Sequence, residues 1–383
     1  MRIGIDARTI LNPAKGEAAG TGHYTYQLIR NLLDIDSGNQ YVLFFDWRAR
    51  HRDMEKFSRE NVKICYFPFS HYKKYLPIAY MHLLTSVVLA REKLDVYHSP
   101  AGSVPLSYSG KTVVTIDNLA IFKHPDLFPK YERVRARMRP YIARKADAII
   151  AVTEATKKDI MDVHAISEEK ITVISHGLDK RFFEGCQEKE ADDILQTYAI
   201  VTPYLFFLGT LEPTKNLSRL LEGFARAKDH QGLRDLKLVI GGKDGWMADE
   251  YRRFINDHQL KDDVQFIGYV PPDHLNALFH RAHAFVFPSI YESFGMVILE
   301  AMANKTPVLI SNTTSLVETA CACAHTVDPY DVAVITQGII AICTNNTLRD
   351  ALIVNGYERA KKFDWKETAR KTLEMYQSVG GRK

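Results

Sequence analysis

The run AFVFPSIYESFGMVILEAMA, Ala284–Ala303, decides how this chain folds. AFVFPS opens it as a short apolar run of aromatic and β-branched residues, the pattern of a strand buried on both faces. MVILEAMA closes it as a helix, and IYESFG between them reads as the turn. Strand, short loop and helix in that order form the repeating unit of a parallel sheet wrapped by helices. Two glutamates interrupt the apolar pattern, Glu292 in the loop and Glu300 inside the helix. Burying a carboxylate costs free energy unless something pairs with it. Gly295 permits close backbone approach at the helix start, and the amides of Phe294, Gly295, Met296 and Val297 there make an anion site. Glu300 lies roughly 7.5 Å along the axis from that start, at 1.5 Å per residue. A phosphate on the amides is then flanked by two acids, and a carboxylate accepting from neighbouring hydroxyls suits a sugar or a ribose. A second reading stays open, in which Glu292 or Ser293 caps the helix and Glu300 makes an ordinary ion pair.

The same alternation runs outward in both directions. RIGIDA, YVLFFD, VKICYFP, DVYHSP, KTVVTID, AIIAVT and ITVISH alternate with helical segments such as HYTYQLIRNLL and ATKKDIMDVH. The pattern restarts with YLFFLGT, LKLVIGG, VQFIGYV, AFVFPS, TPVLIS and HTVDP. Two successive sets predict an α/β chain of two Rossmann-like, doubly wound domains facing a cleft, residues 1–180 and 181–362. The join is expected in the charged KRFFEGCQEKEADD, Lys180–Asp193, and FDWKETARKTLEMYQSV predicts a closing amphipathic helix within 363–383. A length of 383 residues fits two cores better than one. Ligands of such sheets bind beyond the carboxyl ends of the strands.

Composition excludes several classes. At 46% hydrophobic and 25% charged, the chain reads as a soluble globular protein. MRIGIDARTIL reads as a strand, not a signal peptide, and no run reaches the length of a membrane span. Cys65, Cys186, Cys321, Cys323 and Cys343 fit no zinc spacing, so reduced thiols in a cytoplasmic protein are expected, without a metal. Residues 1–180 hold 27 Lys+Arg against 20 Asp+Glu, and the remainder 23 against 26. The excess concentrates in KYERVRARMRPYIARK, Lys130–Lys145. That stretch is either a positive face for anionic head groups or a phosphorylated substrate, or a solvated helix whose arginines pair with nearby acids. Nucleic acid is not expected, because no recognition motif accompanies the charge. HYKKYLPIAYMHLLTSVVLAREKL, His71–Leu94, likewise fits a helix on a membrane surface or one packed on the first sheet.

Two further loops carry the remaining chemistry. In FFLGTLEPTKNLSRLLEGF a strand ends at Gly209, and Lys215 stands at the start of an amphipathic helix, placed to pair with a diphosphate. VQFIGYVPP offers the backbone of Gly268, Tyr269 and Val270 to a base edge. DID, Asp34–Asp36, precedes SGN and reads as a turn rather than a metal site. GTGHYT lacks the third glycine of a dinucleotide fingerprint. His98, in HSP, faces an acceptor or serves the core; His124 reads as structural.

Together GTLEPTKN, FIGYVPPDHL, the E-x7-E pair Glu292 and Glu300, ADAIIAVTEATKKDI, FDWKETA and GTGHYTYQLIRNLL resemble the retaining glycosyltransferases of family 4, with the GT-B fold. The resemblance covers nearly the whole chain. It implies that Glu300 binds the ribose of a nucleotide and Glu292 the donor sugar. Lys215 and the amides from Phe294 to Val297, with Ser293, would hold the diphosphate, and Gly22 would approach it from the first domain. The first domain would bind the acceptor, near His98 and Asn118, and the final helix would return to it. The wording of GTLEPTKN is similar to bacterial mannosyl- and rhamnosyltransferases of lipopolysaccharide or exopolysaccharide assembly. Two positions depart from the family pattern. Asp117 and Asn118 stand where the family often has His-Asp, which puts Asp117 beside the transferred sugar. Thr210 stands in place of the family arginine after Gly209, leaving Lys215 as the principal cation, with Lys243 as a candidate helper.

The resulting expectation is a metal-independent, retaining hexosyltransferase. Its donor is a nucleotide-diphosphate sugar, GDP-mannose first, and its acceptor a glycan or polyprenyl-diphosphate-linked glycan. It needs no cofactor, works in the cytoplasm or at the inner membrane face, and catalyses through Lys215, Glu292 and Asp117. The alternatives are a nucleotide-sugar epimerase of the same fold, a silent nucleotide-sugar or glycan-binding homologue, and a dinucleotide-dependent dehydrogenase.

Overall fold

Thirteen strands among the described residues form two wholly parallel sheets in a computed structural model that describes residues 1–14, 20–67, 80–245 and 247–381. The chain divides into two units, Met1–Gly177 with Asp364–Lys383, and Leu178–Phe363. The divisions thus fall at Gly177 and Phe363, not at Lys180 and Lys362. A hydrogen bond from Leu178 N–H to the Phe363 carbonyl at 3.2 Å closes the second unit on itself. The charged KRFFEGCQEKEADD is no linker: Lys180–Phe183 forms a 3-10 turn with Phe182 buried, and Glu188–Thr197 is a helix of the second unit.

The first unit holds β1 (Arg2–Asp6), β2 (Gln40–Asp46), β3 (Val62–Phe67), β4 (Val96–Ser99), β5 (Thr112–Ile116), β6 (Ala148–Ala151) and β7 (Ile171–Val173). Their order is β3-β2-β1-β4-β5-β6-β7, with Ile3 opposite both Tyr41 and Val96. The order reverses direction between β1 and β4, which makes that the switch point of this sheet. Helix α1 (Gly20–Ile35) buries Tyr24, Leu28, Ile29 and Leu32, the three-to-four spacing of an amphipathic helix. Helices α2 (Lys130–Ala136) and α3 (Arg139–Lys145) carry the basic stretch. The C-terminal helix, Trp365–Gly380, belongs to this unit and buries Trp365, Thr368, Ala369, Thr372, Met375 and Tyr376. Of His71–Leu94, residues 71–79 lie outside the described residues; Thr85–Arg91 is a helix with Leu89 buried.

The second unit holds β8 (Tyr204–Leu208), β9 (Lys237–Gly241), β10 (Val264–Gly268), β11 (Ala284–Phe287), β12 (Val308–Ser311) and β13 (His325–Val327). The order β10-β9-β8-β11-β12-β13 puts its switch point between β8 and β11. Tyr204, Leu205, Phe206 and Phe207 of β8 are fully buried, as are Ala284, Phe285 and Val286 of β11, because helices cover both faces of a parallel sheet. Helix α4 (Leu217–Ala227) follows β8, and helix α5 (Met296–Ala303) follows β11. The α/β, doubly wound expectation therefore holds in both halves. No helix among the described residues is long and apolar enough to cross a membrane.

Candidate functional site

The switch point of the second unit is where the chemistry gathers. β8 runs into Gly209, an exposed Thr210 and a 3-10 turn, Pro213–Lys215. Asn216 then takes the left-handed conformation, φ 59°, at the head of α4. β11 runs into Pro288–Phe294, and Gly295 turns the chain into α5 with φ +79°. A Cβ at Gly295 would lie 2.3 Å from Leu316 Cδ2, so both space and backbone demand glycine there.

These two loops are joined by an ion pair. Lys215 Nζ sits 2.5 Å from Glu292 Oε1 and 3.8 Å from Glu212 Oε1, its side chain 17% exposed and that of Glu292 11%. Burial works against the ammonium, but Glu292 and Glu212 outweigh it and hold Lys215 above the ordinary lysine range. The lysine therefore stays cationic, over the Phe287 ring at 5.7 Å. A phosphate at this place would meet that cation and the N–H groups of Gly295, Met296 and Val297, which have no preceding helical carbonyl.

Asn216, which the sequence did not single out, ties the loops together. Its Nδ2 donates to the Pro288 carbonyl at 2.9 Å and to the Pro329 carbonyl at 2.7 Å, with the residue buried. Ile290 N–H donates to the Thr214 carbonyl at 2.8 Å. Ser315 Oγ and Thr319 Oγ1 donate to the carbonyls of Glu292 and Phe294 at 2.8 and 2.7 Å. The loop that carries Glu292 and Ser293 is thus fixed from three sides.

Glu300 faces a different set of groups. Burial pushes its carboxyl up to about 7; Arg181 opposes that shift and Asp179 reinforces it. Arg181, hidden in the stretch expected to be a linker, has a buried Nε without a hydrogen-bond partner. Its carbonyl accepts from Asn276 Nδ2 at 2.7 Å, and Asn304 Nδ2 bridges Asn276 Oδ1 at 3.3 Å to the Glu300 carbonyl at 3.0 Å. Gly268 takes φ +68° at the end of β10, Tyr269 is exposed, and Val270 is buried. Lys243 Nζ lies over the Tyr269 ring at 5.3 Å.

In the first unit, Asp117 is held by Thr21 Oγ1 at 3.2 Å, next to Gly22 on α1. Burial raises its carboxyl above the usual range, with the Thr21 bond and the Arg139 charge opposing. Asn118 is exposed and accepts from Ala120 N–H at 2.8 Å, which starts a short helix. His98 requires a correction. It is fully buried, with Nδ1 2.6 Å from Tyr376 Oη and Nε2 2.8 Å from Thr115 Oγ1, and burial pushes it down to about 3. Both ring nitrogens are occupied inside the unit, so His98 anchors the C-terminal helix and presents nothing to an acceptor. Asp34–Asp36 is the expected turn: Asp36 accepts from Gly38 N–H at 2.9 Å and from Tyr41 Oη at 2.5 Å.

Residues 18–182 match the family described as Glycosyltransferase Family 4, and residues 199–359 match Glycosyl transferases group 1. The chain belongs to the family 4 glycosyltransferases. The O-antigen chain mannosyltransferase B of Escherichia coli is 28% identical over 375 residues, 95% of this chain and 97% of that protein. Among solved structures, sucrose-phosphate synthase of Thermosynechococcus elongatus superposes with a TM-score of 0.77 at 20% identity over the whole of both chains. Anabaena Alr3699/HepE, crystallised with UDP-glucose, superposes with 0.74 at 16% identity over 99% of this chain and 100% of that one. Both are GT-B likenesses of fold. Against this glycosyltransferase frame, Lys215 and Glu292 occupy one site, while Glu300 has its own neighbours in Arg181 and Asp179.

Proposed function

We propose that this glycosyltransferase moves a mannose from GDP-mannose to a glycan or polyprenyl-diphosphate-linked acceptor in surface-polysaccharide assembly. The anomeric configuration is retained and no metal is required. The observation that carries the reading is the Lys215–Glu292 pair at the head of α5, on the switch point of the second sheet. In this reading the donor diphosphate displaces part of that pair: Lys215 turns to the phosphates, and Glu292 is released to accept from hydroxyls of the sugar. Charge develops on the leaving diphosphate, so a fixed cation and oriented amides lower the barrier by meeting it where it appears. Glu300 accepts from the ribose hydroxyls, and Gly268, Tyr269 and Val270 line the base. A donor phosphate oxygen takes the acceptor proton as the new glycosidic bond forms.

Mannose is supported by the O-antigen chain mannosyltransferase of similar length, and a nucleotide-sugar donor by the fold neighbour crystallised with UDP-glucose. The reading places the chain in the cytoplasm. The test is incubation with GDP-mannose, UDP-glucose, ADP-glucose and dTDP-rhamnose, reading nucleotide release with and without a lipid-linked glycan acceptor. Release of GDP that requires acceptor is expected. Conversion of donor without acceptor would make the protein an epimerase, and binding without turnover a silent homologue.

A further inference from the structure

Sequence alone makes Lys243 a candidate helper at the diphosphate, and the strand order puts it elsewhere. It stands two residues past the end of β9, exposed, with Nζ 5.3 Å from the centre of the Tyr269 ring. Lys215 lies over Phe287, the last residue of β11. The order β10-β9-β8-β11 sets two strands between β11 and β10, the strand that leads to Tyr269. At about 4.8 Å per strand, those two strand ends are about 14 Å apart. One cation therefore stands at the proposed diphosphate end of the site. The other stands where Gly268, Tyr269 and Val270 line the base in the proposed reading.

The backbone that carries Lys243 is fixed from both sides. Gly209 N–H donates to the Gly241 carbonyl at 3.0 Å, Leu211 N–H to the Lys243 carbonyl at 3.0 Å, and Gly242 N–H to the Gly268 carbonyl at 2.7 Å. These bonds tie the loops after β8, β9 and β10 into one rim. The approach is so close that a Cβ at Gly242, which has φ +139°, would overlap the Gly209 carbonyl oxygen. Asp244, the acid next to Lys243, is held by Arg252 Nη2 at 2.7 Å. A fixed loop thus presents an ammonium over an exposed aromatic ring, and the neighbouring acid is taken by another cation.

An ammonium offers three donors and no acceptor. Guanine presents two acceptors, O6 and N7, on one edge, whereas adenine sets its N6 amino group, itself a donor, beside N7. A lysine at the base end favours guanine and meets adenine donor to donor. We infer that Lys243 selects the base of the nucleotide, donating to guanine O6 and N7 while the Tyr269 ring holds its ammonium in place. The inference rests on the proposed nucleotide donor and names the group that sets its specificity.

The test is calorimetric titration of the full chain with GDP, inosine diphosphate and ADP; the inosine compound keeps O6 and N7 but lacks the amino group of guanine. GDP and inosine diphosphate should each bind about tenfold tighter than ADP. Lys243→Met, similar in length but without a donor, should bring both to the ADP level and leave ADP unchanged. Lys243→Arg should keep the preference. With GDP-mannose as donor, Lys243→Met should raise KM more than it lowers kcat, since the base contact is alike in ground and transition states. A preference for GDP over ADP that survives in Lys243→Met overturns the assignment while the donor stands. Equal weakening of all three ligands also overturns it, because that marks a cation acting on the phosphates they share. If the wild-type chain binds none of the three, the proposed nucleotide donor fails and this assignment with it.

Discussion

Each sheet carries a carboxylate–cation pair beside its switch point, and the two pairs are built differently. In the first unit Asp6 and Arg8 are two residues apart, with Arg8 Nε 2.8 Å from Asp6 Oδ1 and Nη2 2.5 Å from Oδ2. Tyr97 Oη also donates to Asp6 at 3.1 Å, and Arg8 lies over the Phe67 ring at 4.5 Å. That pair is local and bidentate, and its carboxylate is further bonded by Tyr97; it closes the end of β1 on itself. In the second unit Lys215 and Glu292 are 77 residues apart and meet through a single oxygen. Their loops are held by other groups, chiefly Asn216, so the pair itself is not needed to keep them together. A pair whose scaffold stands without it is free to open toward a ligand. Under the proposed function Lys215–Glu292 is the pair that meets the donor, whereas Asp6–Arg8 holds its own strand end together.

The largest expected effect is on the chemical pair. Lys215→Ala should reduce transfer by about 10³-fold or more, the scale of losing one preorganised charge-stabilising donor. Acceptor-dependent nucleotide release measures it, and wild-type turnover in that variant would remove the diphosphate role. The structural pair should respond in the opposite currency. Asp6→Ala removes both Arg8 bonds and the acceptor of Tyr97 Oη, which costs about 3 kcal/mol of stability, read as a lowered urea midpoint. Nucleotide affinity per folded molecule should be unchanged. A variant that folds normally yet no longer binds nucleotide would break the division between the two pairs.

The scaffold claim rests on Asn216. Asn216→Ala strips the donor from two buried carbonyls, Pro288 and Pro329, and should cost about 2–3 kcal/mol, with nucleotide binding weakened because the Glu292 loop loosens. If unfolding and binding are both unaffected, the loops are held by something other than Asn216.

The fold was legible because β-branched runs and helical spacing repeat twice along the chain, and neither pattern needs knowledge of distant contacts. The meeting of Lys215 and Glu292 was legible because both stand in short loops after strands at one switch point. Their partners were not. Asn216 stood inside a quoted motif, but its bonds reach residues 72 and 113 positions away, and only its left-handed φ of 59° explains why asparagine suits the place. Arg181 was hidden by charge: KRFFEGCQEKEADD reads as a solvated linker until Phe182 is seen to be buried. His98 misled because it ends a strand, where ligands gather; the group that claims it, Tyr376, lies 278 residues on.

The smallest effect tests whether Glu300 belongs with the chemistry or with the scaffold. Its carboxyl sits at about 7 in the folded chain against an ordinary 4.5, because burial penalises the charged form. The sign follows: between those values the unfolded chain has released a proton that the folded chain keeps, so this group's contribution to stability falls as pH rises from 4.5 to 7. A ribose reverses the preference, since its hydroxyls donate to the ionised carboxylate and replace the solvation that burial removed. Nucleotide affinity should therefore weaken as pH is lowered from about 8 to about 6, by up to about tenfold per unit below the free-protein value. Glu300→Gln, which cannot ionise, should bind more weakly at high pH and lose that dependence. Calorimetric titration with GDP at several pH values reads both. If the glutamine variant keeps the wild-type slope, the proton belongs to another group, and Glu300 joins Asn304 and Asn276 as part of the scaffold.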